Sequence, residues 1–121
     1  MGIEFKLGNF RKFMYYVFKV PSFDKYALKL LNNKELRELE RFILELKQNP
    51  FLGKALTYQF LREKKLKSKR VYFLIYKEIC LILLVATSDK KAQQKTIDSI
   101  KEDLEIYKKF AQEKYEELTL N

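Results

Sequence analysis

The chain has 121 residues, of which 47% are hydrophobic and 15% aromatic, enough for a single domain with one core and too few for two. It contains no histidine, which excludes catalytic triads with an imidazole base and the commonest zinc sites. We expect neither a metal nor a cofactor. The formal net charge of +9 favours nucleic acid or an acidic protein as the partner.

The single cysteine and the longest apolar run indicate the compartment. Cys80 lies inside the apolar run from Ile79 to Ala86, so we expect a small buried side chain. As the single cysteine, it cannot form a disulfide within the chain. One unpaired cysteine and no signal peptide predict a cytoplasmic protein. The run from Val71 to Ala86 has Lys77 and Glu78 at its middle, which argues against a membrane helix and predicts two strands joined by a tight turn.

The N-terminal part predicts a strand followed by a helix. Residues 1–13 show no clear period, and this extension is either an extra strand or a loosely held arm. Residues 14–20 are rich in aromatic and β-branched side chains and end at Pro21, which predicts the first strand. Ser22 is then a candidate N-cap for a short helix. The apolar positions of that helix share one face: Tyr26, Ala27, Leu30 and Leu31.

Asn32 and Glu35 have the spacing of a capping box and predict the start of a second helix, which ends near Gln48, before Pro50. The two helices are amphipathic, so we expect an antiparallel hairpin that packs on one face of a sheet. Three strands are predicted next, over residues 56–65, 69–77 and 78–87.

Ser88 and Asp89 are candidate caps for a long final helix over residues 89–118. Its apolar stripe consists of Ile97, Ile100, Leu104, Tyr107 and Ala111. The strand at residues 70–76 is apolar on both faces, so the face away from the helical hairpin must meet the C-terminal helix or a partner. That helix either folds over the open face or forms a homodimer contact. The element order predicts one α+β domain over residues 1–121.

Positive charge is densest in residues 60–70, where seven of the eleven residues are charged and six of those seven are basic. Two readings are open: a binding site for a polyanion, or an ordinary solvated hairpin. The six basic residues are Arg62, Lys64, Lys65, Lys67, Lys69 and Arg70.

Four segments in order, SFDKYALKLL, ELKQNPFLGKAL, KRVYFLIY and ATSDKKAQQKTID, resemble the RelE/ParE superfamily of toxins from toxin–antitoxin systems, most closely its archaeal-type members. The resemblance covers residues 14–100. It implies a βααβββ(α) fold with an antiparallel-dominated sheet, the helical hairpin on one face and a long C-terminal helix. It also implies a cytoplasmic toxin neutralised by a cognate antitoxin. RelE-like members cleave messenger RNA on the ribosome without a metal, whereas ParE-like members act on DNA gyrase.

The resemblance also implies a set of site residues. Arg70 and Lys90 match the basic residues that begin the third strand and follow the fourth, and Lys64 is the candidate from the second strand. Thr96 stands where the family has a tyrosine. Further RNA contacts are expected from Arg62, Lys65, Lys67, Lys69, Lys91 and Lys95.

Cleavage of RNA without a metal needs a base for the 2′-hydroxyl proton, cations for the phosphate and an acid for the leaving oxygen. Arg70 and Lys90 suit the second task. Like charge nearby lowers the pKa of a lysine, so Lys64, Lys65 or Lys67 could act as base or acid, or Glu63 could accept the proton. The alternative is a protein of the same fold without nuclease chemistry, which binds a protein as ParE-like members do or retains only antitoxin or RNA binding.

Overall fold

The computed structural model describes the backbone of residues 3–7 and 10–120 and the side chains from Met14 onward. Within that part of the chain, seven strands and four α-helices follow one another in mixed order, which confirms the α+β prediction. The strands are β1 Ile3–Leu7, β2 Phe10–Met14, β3 Tyr16–Lys19, β4 Lys54–Ala55, β5 Leu61–Leu66, β6 Lys69–Tyr76 and β7 Leu81–Asp89. The helices are α1 Phe23–Leu30, α2 Asn33–Gln48, α3 Gln93–Glu102 and α4 Leu104–Thr119, and a 3-10 turn spans Lys77–Ile79.

The main sheet has the strand order β3-β7-β6-β5-β4. Only the pair of β3 and β7 is parallel, and the other neighbours are antiparallel. The antiparallel-dominated sheet expected from the resemblance is therefore confirmed. Its central strands consist almost entirely of buried side chains, because both faces of β6 and β7 are covered.

The N-terminal extension is partly outside the described residues, which omit positions 1, 2, 8 and 9. Where the backbone is described, β1 and β2 form an antiparallel pair separate from the main sheet, so the extra-strand alternative is correct for this segment. The predicted strand over residues 14–20 is shorter than expected. Tyr15 leaves the ladder, and its N–H donates instead to the carbonyl of Lys47 on α2.

The two N-terminal helices begin where the sequence predicts, but only one has the predicted cap. The capping box of α2 is present: Asn32 accepts from the N–H of Glu35 at 2.8 Å, and Glu35 accepts from the N–H of Asn32 at 2.9 Å. The Ser22 cap is wrong, because its backbone is already helical and its side chain makes no cap bond. The predicted apolar face of α1 also needs correction, since Phe23 and Ala27 are buried whereas Tyr26 is exposed.

The two sheet faces are covered by different helices. On the first face, Phe73 of β6 packs against Phe42 of α2, with ring centroids 5.6 Å apart. On the second face, the apolar stripe of α3 and α4 packs over β7, and Ile97, Ile100 and Ala111 are buried. The prediction that the C-terminal segment folds over the open face is confirmed, and the homodimer alternative stays a prediction.

Three boundaries near the C-terminal half differ from the prediction. The second predicted strand begins at Leu61 rather than at residue 56, because residues 51–60 form a loop that contains β4. Ser88 and Asp89 belong to β7 rather than to a helix, since they pair with Arg70 and Lys69 of β6. The predicted helix over residues 89–118 is two helices, separated at a single residue between α3 and α4.

Candidate nucleic-acid interface

The register of β5 against β6 decides which basic side chains share a face. Lys65 is paired with Arg70, and Lys64 is paired with Val71, so the two lysines point to opposite faces. The Nζ of Lys64 lies 5.2 Å from the centroid of the Phe42 ring, on the face that α2 covers. Lys64 therefore lies on the opposite face of the sheet from Arg70, and Lys65 is the β5 lysine that shares the face of Arg70.

Arg70 is buried, with 4% of its surface exposed, and it forms an ion pair with Glu63 of β5, which is 6% exposed. Arg70 Nε lies 3.0 Å from Glu63 Oε1, yet its N–H makes no hydrogen bond. The contact is thus an attraction between neighbouring charges with a poorly aimed donor. The other carboxylate oxygen, Oε2, accepts a bond of 2.9 Å from Gln93 Nε2 at the start of α3.

A second buried polar pair lies beside this ion pair. Tyr72 is the cross-strand partner of Glu63, and its hydroxyl is 2.8 Å from Ser88 Oγ. Ser88 gives its only hydroxyl proton to the carbonyl of Asp89, so the Tyr72 hydroxyl donates to Ser88. Burial raises the pKa of Tyr72, which keeps its hydroxyl neutral and a donor.

The turn that follows β7 carries the cations predicted after the last strand. Asp89 Oδ1 accepts from the N–H of Ala92 at 2.8 Å and closes this turn. Lys90 and Lys91 are exposed on it. Because Asp89 is paired with Lys69, the cross-strand register brings this turn beside the β5–β6 hairpin. Lys90 and Arg70 thus lie at the same end of the sheet.

The remaining predicted RNA contacts divide into exposed and buried groups. Lys67, in the turn between β5 and β6, and Lys95 on α3 are exposed, and Lys69 is partly exposed. Lys67 has a left-handed backbone with φ of +59°, as a tight hairpin turn requires. Arg62, in contrast, is only 8% exposed and donates to backbone carbonyls of the loop before β5, so its guanidinium is not at the surface.

A cleft of about 760 Å³ opens between α1 and α3, with the end of β7 as its floor. Thr96, which stands where the resemblance implies a tyrosine, lines this cleft next to Ser99. Lys29 and Lys95 also line it, together with Asp103, so the charge in the cleft is mixed. Ser88 also lines this cleft, so the cleft borders the polar contacts among Arg70, Glu63, Gln93, Tyr72 and Ser88.

Sequence reasoning named Glu63 as a proton acceptor but missed its pairing with Arg70, and it did not assign Gln93, Tyr72 or Ser88 to the site. Glu63 and Tyr72 lie directly opposite one another only in the observed register, and a slip of one residue in β5 would turn Glu63 to the other face of the sheet. The useful signal was the alternation of charge in β5, where Glu63 is the single acid among basic residues.

The described part of the chain has neither a metal-binding group of side chains nor a helix that could span a membrane. No group of His, Cys, Asp and Glu side chains from residue 14 onward is arranged to hold a metal ion. Among the helices that the structure describes, none is long and apolar enough to span a bilayer. The predicted burial of Cys80 is confirmed.

Sequence comparisons identify no relative. No protein-family model matches the chain. No curated protein matches it either.

Comparison with solved structures gives consistent matches. The structure of a double mutant of the E. coli toxin RelE in the free state is similar, with a TM-score of 0.61, 16% identity, and coverage of 74% of this chain and 97% of that one. The RelE–RelB complex from Pyrococcus horikoshii matches with a TM-score of 0.54 and 19% identity, covering 64% of this chain and 96% of that one. The RelBE2 toxin–antitoxin complex from Mycobacterium tuberculosis matches with a TM-score of 0.53 and 18% identity, covering 63% of this chain and 91% of that one.

The archaeal and bacterial structures match at similar levels, so these comparisons do not favour an archaeal type. All of these sequence identities are below 20%. At this level, similarity of structure establishes the fold and not the activity. The chain therefore has the fold of the RelE toxins.

Proposed function

We propose that this chain is a RelE-like toxin that cleaves messenger RNA on the ribosome and is neutralised by a cognate antitoxin. The fold supports the first part, since the similar structures are RelE toxins. Two of them are complexes of the toxin with its antitoxin, which supports an antitoxin partner for this chain. The cytoplasmic location expected from the single cysteine is consistent with this role.

The observation that carries the nuclease proposal is the state of Arg70. Its buried Nε–H has no hydrogen-bond acceptor although a carboxylate oxygen lies 3.0 Å away. Buried polar groups in folded proteins are nearly always satisfied, and exceptions concentrate at functional sites. A phosphate oxygen is the acceptor that an arginine fork suits best. We therefore assign Arg70 to the scissile phosphate and Lys90, on the neighbouring turn, to the same charge.

Glu63 is the best placed proton acceptor, because its carboxylate already lies beside the arginine that would hold the phosphate. In the proposed reaction Glu63 takes the proton of the 2′-hydroxyl, and the resulting oxygen attacks the phosphorus. The bond to the 5′-oxygen breaks, and Lys65 gives that oxygen a proton. The products are a 2′,3′-cyclic phosphate and a free 5′-hydroxyl.

The pair is covered in the free chain, so the proposed reaction requires an opening step. Arg70 and Glu63 are each less than a tenth exposed, and Gln93 of α3 holds the second oxygen of Glu63. An RNA phosphate meets Arg70 only after this contact with Gln93 is released. Binding energy from exposed lysines, among them Lys67 and Lys90, is available for that step.

A second candidate function is supported by the same burial and by Thr96. A protein of this fold that binds a protein target, or that retains only antitoxin or RNA binding, needs no accessible arginine and no tyrosine at position 96. In that case the Glu63–Arg70 pair is structural, and its unsatisfied donor has no role.

Primer extension separates the two candidates. The chain is induced in cells that carry a reporter message, with a second reporter that lacks its start codon as the untranslated control. Ribosome-dependent cleavage predicts cuts in codon phase on the translated message and none on the control. If growth stops without cuts, the nuclease proposal is wrong and the binding candidate is favoured. If a short open reading frame lies next to this gene, its co-expression tests for the antitoxin and is expected to restore growth.

A further inference from the structure

The loop between α2 and β5 exposes three aromatic side chains. Phe51 is 47% exposed, Tyr58 41% and Phe60 40%. The rings of Tyr58 and Phe60 are stacked, with centroids 4.9 Å apart and planes within 4° of parallel. Tyr58 and Phe60 thus form a stacked pair, the aromatic platform.

The loop that carries the platform is held by Arg62. Its Nε donates to the carbonyl of Leu52 at 2.9 Å, and its terminal nitrogens donate to three further carbonyls of the loop. The guanidinium also lies 5.9 Å from the centroid of the Phe51 ring. A buried arginine is thus used to fix the shape of an exposed loop.

Backbone contacts fix the same loop from the other side. Gly53 has φ of +77°, and a Cβ at this position would lie 2.6 Å from the carbonyl oxygen of Glu63, so only glycine is accommodated. The carbonyl of Tyr58 accepts from Leu61, and that of Phe60 accepts from Ile75 at 2.8 Å. The platform is therefore preorganised, which reduces the entropy that a ligand must overcome.

The loop that carries the platform has a positive net charge. The segment from Phe51 to Arg62 contains Lys54 and Arg62 and no acidic residue. The hydrogen bonds of Arg62 all go to neutral carbonyls, and no ion pair is formed by it in the described part of the chain. Its charge therefore adds to the potential at this surface.

A smaller cleft of about 360 Å³ adjoins the platform. Phe60 forms one wall, Tyr76 and Leu104 form others, and two lysines line it together with two glutamates: Lys77, Lys108, Glu78 and Glu105. Tyr76 and Arg70 lie on the same face of β6, because six residues separate them along the strand. The platform is thus at the opposite end of that face from the Glu63–Arg70 pair.

We propose that the aromatic platform is a second RNA subsite, on which an unpaired base stacks while the scissile phosphate lies a few nucleotides away at Arg70. The inference rests on the proposed action on RNA. Flat aromatic faces bind bases of any sequence by stacking, and the positive charge of the loop suits the backbone between them. An acidic, apolar protein segment is the competing occupant, and it would need apolar bulk rather than flat rings.

The test measures binding of the purified full-length chain to a fluorescent single-stranded RNA by anisotropy. We expect Tyr58→Ala and Phe60→Ala each to weaken binding by about tenfold, within the range found when a stacked aromatic is removed. Tyr58→Phe, which keeps the ring, is expected to bind as the parent does. Tyr26→Ala removes an exposed aromatic side chain on α1 and is the matched control, with no change expected.

A variant with leucine at both positions separates stacking from apolar docking. Tyr58→Leu with Phe60→Leu keeps apolar bulk and loses the flat rings, so binding to single-stranded RNA is expected to fall about as far as in the alanine variants. Double-stranded RNA, whose bases are already stacked, is expected to bind equally to parent and variants. Thermal unfolding by circular dichroism confirms that each variant is folded, and if the double variant is not, the single leucine variants replace it.

Three outcomes overturn the inference. Unchanged RNA binding in the alanine variants excludes the platform, and the proposed function still stands if the parent cuts messages in codon phase. Full retention of RNA binding by the leucine variant excludes stacking, because apolar bulk without flat rings then supports the contact. If the parent neither binds the RNA nor cuts messages, the proposed function fails together with this subsite.

Discussion

Two buried arginines, Arg62 and Arg70, lie on neighbouring strands and look alike in the sequence, yet they have different surroundings. Arg62 donates to neutral carbonyls and fixes a loop. Arg70 faces a carboxylate and keeps one buried N–H without an acceptor. The first arginine is fully used by the fold, whereas the second retains a donor that the fold does not use. The density of positive charge in the sequence therefore indicates where a phosphate could bind. Only the hydrogen bonds show which of the two arginines has a donor left for that phosphate.

The largest effect on stability is expected at the ion pair. Arg70→Ala leaves Glu63 buried without a counter-charge, which costs about 3–5 kcal/mol of unfolding free energy. Urea unfolding followed by circular dichroism measures this. The double variant Glu63→Leu with Arg70→Met is the control, because removal of both charges is expected to be close to neutral. A double variant as unstable as the single one would show that the pair stabilises the fold.

The next effect is expected at Arg62. Arg62→Ala leaves several loop carbonyls without their donor, and we expect a loss of about 2–4 kcal/mol in the same unfolding experiment. Lys65→Ala, an exposed neighbour on β5, is the matched control and is expected to change stability by less than about 0.5 kcal/mol. A small effect at Arg62 would contradict its assignment to the loop.

A smaller loss is expected at Gly53, which tests the loop without changing charge. Gly53→Ala places a Cβ against the carbonyl of Glu63 in a left-handed backbone, and we expect a cost of about 1–3 kcal/mol. The same variant is expected to weaken single-stranded RNA binding, because the loop that carries Tyr58 must shift. Gly53→Ala with parental stability and parental RNA binding would show that the loop is not rigid.

The smallest effect is expected at Tyr72, beside the ion pair. Tyr72→Phe removes the hydrogen bond to Ser88 and costs about 1 kcal/mol at neutral pH. Burial raises the pKa of Tyr72 above its unfolded value near 10, so its contribution is complete below about pH 10 and is lost as the pH rises further. The cost of the variant, from unfolding curves at pH 8 and pH 11, should therefore shrink at the higher pH. An unchanged difference would contradict the burial of this hydroxyl.

Local signals in the sequence were enough for some elements and insufficient for the site. The capping box at Asn32 and Glu35 depends on four consecutive residues, and it forms as predicted. Ser88 and Asp89 have the composition of a helix cap, but pairing with β6 keeps them in a strand, because long-range ladder bonds outweigh local preference. The Glu63–Arg70 pair depends on the register of the β5–β6 hairpin, because a slip of one residue would place the two side chains on opposite faces. Composition does not reveal that register.

The difference between the two arginines is tested most directly by conservative substitution in the cleavage reaction. The measurement is the single-turnover rate of message cleavage on ribosomes by the parent, by Arg70→Lys and by Arg62→Lys, at a temperature where circular dichroism shows all three folded. At protein concentrations that saturate binding, we predict that Arg70→Lys, which loses the planar fork, lowers the rate by about a hundredfold or more, while Arg62→Lys stays within about threefold of the parent. Equal rates for Arg70→Lys and the parent would contradict the assignment of Arg70 to the scissile phosphate.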